Sequence, residues 1–352
     1  MKTPEYRQRL DEHTRPGTLW RPGAAPGSVV CVACPQRCRL EEGRRGACGL
    51  RFCHDGVLQV PWGYTSSVAV DPLEKKPFFH VCPGAGVLSF GTLGCTLRCP
   101  FCQNWAISQT VRDDRALVLP RPTAIEDLLA GAAASGSAWI AATYNEPLIA
   151  VEWVLAVFEA ARRRGLRTAV VSNGYASPET LAALTPCLDA ANIDLKCFTE
   201  AGYRQLGGHL APVQDCIRGL HAAGVWVEVT TLVVPGFSDD PAELAAAADF
   251  LAGVSPDLPW HLSAYHPDYR LLDGPAPTSP EALQSACDLG RQHGLRFVYA
   301  GNLADRHGQG DTRCPGCSTA LIRRRGFAVV ERHLTAEGHC PHCGTRLAGI
   351  WY

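Results

Sequence analysis

The stretch GTLGCTLRCPFCQNW (residues 91–105) sets Cys95, Cys99 and Cys102 in the spacing C-x3-C-x2-C. A closed zinc site takes four ligands, and so does an ordinary iron–sulfur cluster. Three thiols crowded together therefore leave a coordination position open, unless a distant side chain completes a zinc knuckle. The triad follows VLSFGT (87–92), a short apolar run that reads as a strand, and the next cysteine is Cys187.

Downstream, strand-like and helix-like stretches alternate. WIAATY (139–144), TAVVSNG (168–174), ANIDLK (191–196), VWVEVTTLVV (225–234), HLSAY (261–265) and RFVYAG (296–301) read as strands. Helical patterns lie over 123–136, 146–165, 177–185, 211–223, 240–252 and 279–293. Such βα repeats predict a parallel sheet, and this many predict an α/β fold built on a full or partial (β/α) barrel. A dinucleotide-binding sheet loses ground because no G-x-G-x-x-G follows the first strand. In a parallel barrel the site forms where strands end. The strand ends here carry Tyr144-Asn145-Glu146, Ser172-Asn173-Gly174, Asp194-Leu195-Lys196, Tyr265-His266 and Gly301-Asn302.

The chain has 352 residues, of which 46% are hydrophobic, enough for a large core. A net charge of −1 gives no bulk sign of a nucleic-acid partner. No apolar run is long enough for a membrane span, and the polar start MKTPEYRQRLDEHTRP has no signal-peptide core, so a cytoplasmic location is expected. Seventeen cysteines, many in C-x2-C pairs, suit metal or cluster ligation better than disulfides. They divide the chain into a Cys-rich N-terminal metal-binding segment (1–85), the βα region (86–305) and a C-terminal unit (306–352). Cys82, Cys187, Cys197, Cys216 and Cys287 are scattered and read as buried small hydrophobes.

The N-terminal segment holds Cys31, Cys34, Cys38 and Cys48 in C-x2-C-x3-C-x9-C, with Cys53 as a spare. Zinc there would be structural, and a second iron–sulfur cluster would relay electrons. Cys314, Cys317, Cys340 and Cys343 form paired C-x2-C knuckles expected to hold zinc or a rubredoxin-like single iron in a four-thiolate site. The run Arg323-Arg324-Arg325 reads as a solvated face. His261 and His266 are weak candidates for substrate contact or catalysis. So is Glu228, since alternation on VWVEVTT could point Glu228 and Thr230 inward.

A [4Fe–4S] cube held by three thiolates leaves one iron free. C-x3-C-x2-C after the first strand of a partial barrel resembles the radical S-adenosylmethionine (SAM) superfamily. The resemblance implies that Cys95, Cys99 and Cys102 ligate the cluster. It implies that the open iron chelates SAM, that an electron cleaves the sulfonium to a 5′-deoxyadenosyl radical, and that this radical takes hydrogen from a substrate. Phe101 matches the aromatic position near the adenine. Glu146 resembles the acid of the family's GGE motif, which pairs with the SAM ammonium, although Tyr144-Asn145 stand where the family has two glycines. Ser172 and Asn173 suit contacts to ribose or carboxylate. Asp194 and Lys196 resemble the D-x-K of the pyruvate formate-lyase activating enzyme branch, and the alternative for them is a structural ion pair.

DPLEKKPFFH (71–80), TYNEP (143–147), WHLSAYHPDY (260–269) and the CPHCGTRLAGIW ending look like the radical SAM enzyme of the AmmeMemoRadiSam system. That likeness implies Memo-like and AMMECR-like partners and an electron donor, with no nucleic acid or membrane. Two alternatives remain: a glycyl-radical activase acting on a protein glycine, and a non-catalytic metal or electron-transfer adaptor. Residues 103–186 lack the cysteine-rich insert that many activases carry.

Overall fold

The computed structural model describes residues 4–303, 308 and 310–352. Runs of small and β-branched residues form an eight-stranded sheet. Its strands are β1 (Ser67–Pro72), β2 (Gly86–Gly91), β3 (Trp139–Ala142), β4 (Arg167–Ser172), β5 (Ala190–Asp194), β6 (Trp226–Val233), β7 (Trp260–Ala264) and β8 (Val298–Gly301). Strands β2 to β8 are parallel and lie side by side in chain order, while β1 pairs antiparallel with β2. The fold is thus α/β with a mixed sheet. Strand β1 comes from the segment read as the separate N-terminal part. The boundary expected at 305/306 lies outside the described residues.

Three of the crossover helices begin with one repeated device. Ser177, Asp240 and Ser279 each accept a backbone N–H three residues on, and Pro178, Pro241 and Pro280 follow at the first helical position. The helix expected over 146–165 divides into a tight turn at Pro147–Ala150 and an α-helix at Val151–Arg163. The break occurs because Glu146 caps the turn, accepting the Leu148 N–H. One sheet face packs on these helices through Leu88, Ile140, Val170, Ile193, Val229 and Leu262.

The opposite face divides along the strands. At their N-terminal half, the segment 73–81 packs as a plug, with Leu73, Phe78 and Val81 against Val87, Trp139 and Ala190. Asn192 Nδ2 donates to Pro77 O at 2.8 Å, and Glu228 accepts the backbone N–H groups of Phe79 and His80 at 3.0 and 2.8 Å. Two residues further along the same face, Asp194 and Thr230 are register partners and line an open cavity. DPLEKKPFFH therefore supplies the sheet's edge and its plug.

The C-terminal unit is a three-stranded antiparallel sheet, β9 (Thr312–Arg313), β10 (Ala320–Arg325) and β11 (Ala328–Arg332), with the knuckles at its end. Leu321, Ile322 and Trp351 pack with Phe79, Phe297 and Tyr299, joining this unit to the plug and to β8. Burial lowers the pKa of His80 to about 4, so it is neutral at pH 7. Its ring bridges Ala348 O (2.8 Å) and Tyr299 Oη (2.7 Å). Arg324 corrects the expectation of a solvated basic run. Its side chain is buried, donating to Phe79 O at 2.7 Å and lying 3.5 Å from Glu74 Oε1, while Arg323 and Arg325 stay exposed. Alternation on β10 turns the middle arginine inward.

Of the scattered cysteines, Cys187, Cys197, Cys216 and Cys287 are buried as expected, and Cys82 is only half-buried. No helix among the described residues is long and apolar enough to cross a membrane.

Candidate functional site

The loop after β2 folds back on the strand ends beside it. Gly94 adopts φ +87°, a conformation that favours glycine, and its carbonyl accepts from Asn145 Nδ2 at 2.9 Å. Asn145 also accepts Thr92 N–H at 2.9 Å. The residue standing where the resemblance has a glycine thus clamps the cysteine loop to the end of β3. Tyr144, at φ +73°, sends its hydroxyl to within 3.2 Å of both Asp71 and Lys76. Sequence reading missed these clamps, because neither partner is near in the chain.

Cys95, Cys99 and Cys102 all line one cavity of about 340 Å³ at the C-terminal ends of the strands. Phe101, Glu146, Asn173, Asp194, Lys196 and His261 line it too. Burial pushes the Cys99 thiol up to about 12 and raises Cys95 and Cys102 as well. Such thiols stay protonated at neutral pH unless a metal compensates their charge, which suits a cluster site. Leu97 N–H points at Cys95 Sγ (3.4 Å), and Asn173 Nδ2 lies 3.6 Å from the same sulfur. Those contacts are the kind that tune a metal–thiolate centre.

Glu146 is 2% exposed and has no cationic partner among the described residues. Oε1 accepts from Ser172 Oγ (2.8 Å) and Leu148 N (3.0 Å), and Oε2 accepts from Asn173 N (2.8 Å). A carboxylate offers about four acceptor sites, so Oε2 has one left, and Glu146 lines the cavity. Burial raises its pKa to about 7. Ser172, expected to touch a ligand, instead orients this carboxylate and does not line the cavity. Asn173 does both jobs, with its side chain donating to Thr96 Oγ1 at 2.9 Å.

Asp194 and Lys196 form an ion pair of 2.8 Å on the cavity wall. Burial works against the Lys196 ammonium, but Asp194 and the nearby Cys99 raise its pKa above the ordinary value, so it remains a cation. Phe101 is buried and packs on Phe237.

The three weak candidates separate. Glu228 is fully buried and does not line the cavity. Its oxygens are taken by the plug's N–H groups, by Trp226 Nε1 (3.1 Å) and by His261 Nε2 (2.6 Å). Burial alone would raise its pKa, but these partners, His261 first, hold it below the ordinary value. Its position is one layer too deep for substrate, and it anchors His261 and the plug. His261 lines the cavity. His266 is exposed, with a ring nitrogen 2.8 Å from Gln103 Nε2, and lies outside the lining.

The C-terminal thiols gather tightly. All four ligand atoms lie within 4.8 Å of one another, with Cys314–Cys343 at 3.5 Å and Cys317–Cys340 at 3.7 Å. The knuckles match in detail. Cys314 N and Cys340 N each donate to the carbonyl five residues on, at 2.9 Å, and Ser318 and Gly344 occupy the same left-handed position. A tetrahedral ion with metal–sulfur bonds near 2.3 Å needs sulfurs about 3.8 Å apart, so the set fits a zinc-ribbon-like knuckle. Cys53 stands apart from the N-terminal set, its thiol donating to Gly27 O at 3.3 Å.

The Radical SAM superfamily model matches residues 90–248. An uncharacterized protein of Methanocaldococcus jannaschii is 36% identical over 91% of this chain and 95% of its own length. The isethionate sulfite-lyase activating enzyme of Nitratidesulfovibrio vulgaris is 35% identical over 40% of this chain and 48% of its own length. The pyruvate formate-lyase 1-activating enzyme of Escherichia coli K12 is 24% identical over 62% of this chain and 93% of its own.

Proposed function

The chain belongs to the radical SAM superfamily, and from that membership we propose an enzyme whose Cys95, Cys99 and Cys102 hold the implied [4Fe–4S] cluster, with SAM bound in the adjoining cavity. The observation that carries this reading is the convergence of three raised thiols, an unpaired buried carboxylate and a cation on one cavity at the strand ends. A cluster held by Cys95, Cys99 and Cys102 would supply the one-electron reduction of SAM in the adjoining cavity, and with it the means to take hydrogen from a substrate. Seven parallel strands in chain order, with no pairing between β1 and β8 among the described residues, suit an incomplete barrel around that cavity.

The chain's own groups have definite tasks. Glu146 accepts the ammonium of SAM at its remaining Oε2 site, in a charge-assisted hydrogen bond. Ser172, Leu148 N and Asn173 N hold the carboxylate so that it does not reorient on binding. Lys196, steadied by Asp194, presents a cation to the carboxylate or ribose side. Phe101 offers an apolar face to the adenine. Phe79, Leu232 and Phe327 add apolar lining to the cavity.

The test is anaerobic reconstitution, reduction and chromatography for 5′-deoxyadenosine. The native protein forms it and Cys99→Ala does not. A protein with a full cluster that forms none, indistinguishable from Cys99→Ala, would sink the reading. A second reading, an activase acting on a protein glycine, draws on the likeness to the two activating enzymes of Nitratidesulfovibrio vulgaris and Escherichia coli. A glycyl-radical EPR signal on a co-expressed partner would favour it. Memo-like and AMMECR-like partners are proposed from the sequence likeness, and co-purification tests them.

A further inference from the structure

The N-terminal cysteines form a site of different dimensions from the C-terminal one. Cys34 lies within electrostatic reach of Cys31, Cys38 and Cys48, and Cys31 within reach of Cys38 and Cys48. Backbone N–H groups of Ala33, Gln36 and Ala47 point at Cys31, Cys34 and Cys38, the last at 3.3 Å. Yet among the described residues, three or more ligand atoms come within 4.8 Å of one another only at the C-terminal set and at the exposed Glu42, His54 and Asp55. The N-terminal thiols share this wider spacing with Cys95, Cys99 and Cys102. A cube of several irons spreads its ligands farther apart than one tetrahedral ion does.

A second observation points to a bound group. Two of the few buried polar atoms without a partner belong to side chains beside these thiols, Arg51 Nε and Tyr175 Oη. Arg51 is 3% exposed and near Cys31 and Cys48, and Tyr175 is 1% exposed and near Cys34 and Cys38. Buried donors are seldom left without an acceptor. The sulfurs of a negatively charged cluster would provide acceptors for both.

We propose that Cys31, Cys34, Cys38 and Cys48 hold a second iron–sulfur cluster, closed by four thiolates, which passes electrons to the cluster at Cys95, Cys99 and Cys102. With all four corners ligated it has no vacancy for SAM and serves electron transfer. A low-potential one-electron donor reduces it by one electron. That electron then moves to the triad cluster, and the N-terminal cluster returns to its oxidised state with no proton exchanged.

The two sites are directly connected. Arg112 donates from one guanidinium to Ala47 O, next to Cys48, and to Leu97 O in the triad loop (2.5 and 3.2 Å). Asn173, beside Cys95, accepts Tyr175 N–H at 2.9 Å, and Tyr175 lies within electrostatic reach of Cys34. The relay rests on the radical SAM reading above, but the site does not.

The test counts acid-labile sulfide in anaerobically reconstituted full-length protein. A single zinc or a rubredoxin-type iron contributes none. The native protein should carry about eight sulfides per chain, and a C95A/C99A/C102A variant about four, with an EPR signal on reduction. Adding Cys34→Ala and Cys38→Ala should remove the remainder. About four sulfides in the native protein, with zinc at the N-terminal set, would overturn the proposal even if a variant failed to fold. Tyr175→Phe should keep the sulfide count and lower the midpoint potential of the signal that survives in the triad variant. An unchanged potential would overturn the assigned hydrogen bond. Loss of 5′-deoxyadenosine formation with both clusters present would remove the catalytic reading and leave this site intact.

Discussion

A set of four cysteines stands toward each end of the chain, Cys31, Cys34, Cys38 and Cys48 at one and Cys314, Cys317, Cys340 and Cys343 at the other, and the two sets are built differently. The C-terminal thiols sit at the tips of two matched turns, close enough for one ion, with Cys317 and Cys343 exposed. The N-terminal thiols are spread through a loop-rich segment pressed against the βα region, with Cys31 and Cys48 buried. A buried ion pair braces them, with Arg51 on Glu152 at 2.5 and 2.9 Å. The C-terminal arrangement suits fastening a small sheet, and the N-terminal one suits holding a larger charged group near the cavity. Equal ligand counts therefore do not mean equal roles, because spacing and surroundings decide what each set can bind.

The largest effect should come from the wide-set triad. Cys102→Ala should reduce 5′-deoxyadenosine formation to background, while the metal at the C-terminal set stays in place, as read by metal analysis. Next is Cys340→Ser. It should release one metal ion and no sulfide, and lower stability by roughly several kcal/mol, because a structural ion contributes directly to folding. Thermal unfolding followed by circular dichroism measures this. If the same change also removed labile sulfide, the contrast between the two ends would fail.

Glu152→Gln probes the brace on the N-terminal side. It strips the buried Arg51 of its counter-charge and should cost about 3–5 kcal/mol in denaturant unfolding. The cost should shrink when the N-terminal thiols are occupied by a negatively charged cluster, since the cluster takes over as counter-charge. An equal cost with and without metal would place Arg51 outside that site's influence.

The smallest effect concerns the cavity itself. Glu146→Gln should weaken SAM binding about ten- to hundredfold. In the native protein the affinity should rise with pH up to about 7, where Glu146 ionises, and level off above it. The Gln variant should lack this dependence, and calorimetry across pH 5.5–8 would show it. Folding responds in the opposite sense. Between the ordinary carboxyl value of 4.5 and about 7, folded Glu146 keeps a proton that the unfolded chain has released. Its contribution to ligand-free stability therefore declines as pH rises through that window.

Much of the site could be read in the sequence because its signals are local. The triad spacing, the polar strand ends and the alternation of strands and helices all lie within short windows, and each strand expected between 87 and 301 forms. Asp194 and Lys196 share a face because they are two residues apart on an extended chain. Glu228 defeated the same rule. Alternation does turn it inward, but depth along the strand depends on a plug from residues 73–81, about 150 positions earlier in the chain. Arg324 departs from the expected solvated face for a related reason, since its partners Phe79 and Glu74 belong to that same plug.

By itself the sequence determined which chemistry is possible here. Ligand types, their spacing and the order of strands follow from covalent neighbours and the two backbone periods. Only the tertiary structure decided which groups meet: Glu146 with Ser172 and Asn173, Arg112 between two cysteine loops, and eight terminal thiols sorted into a tight set and a wide one. Distances between side chains remote in sequence are set by how helices and sheets pack, and a linear pattern does not encode that packing directly.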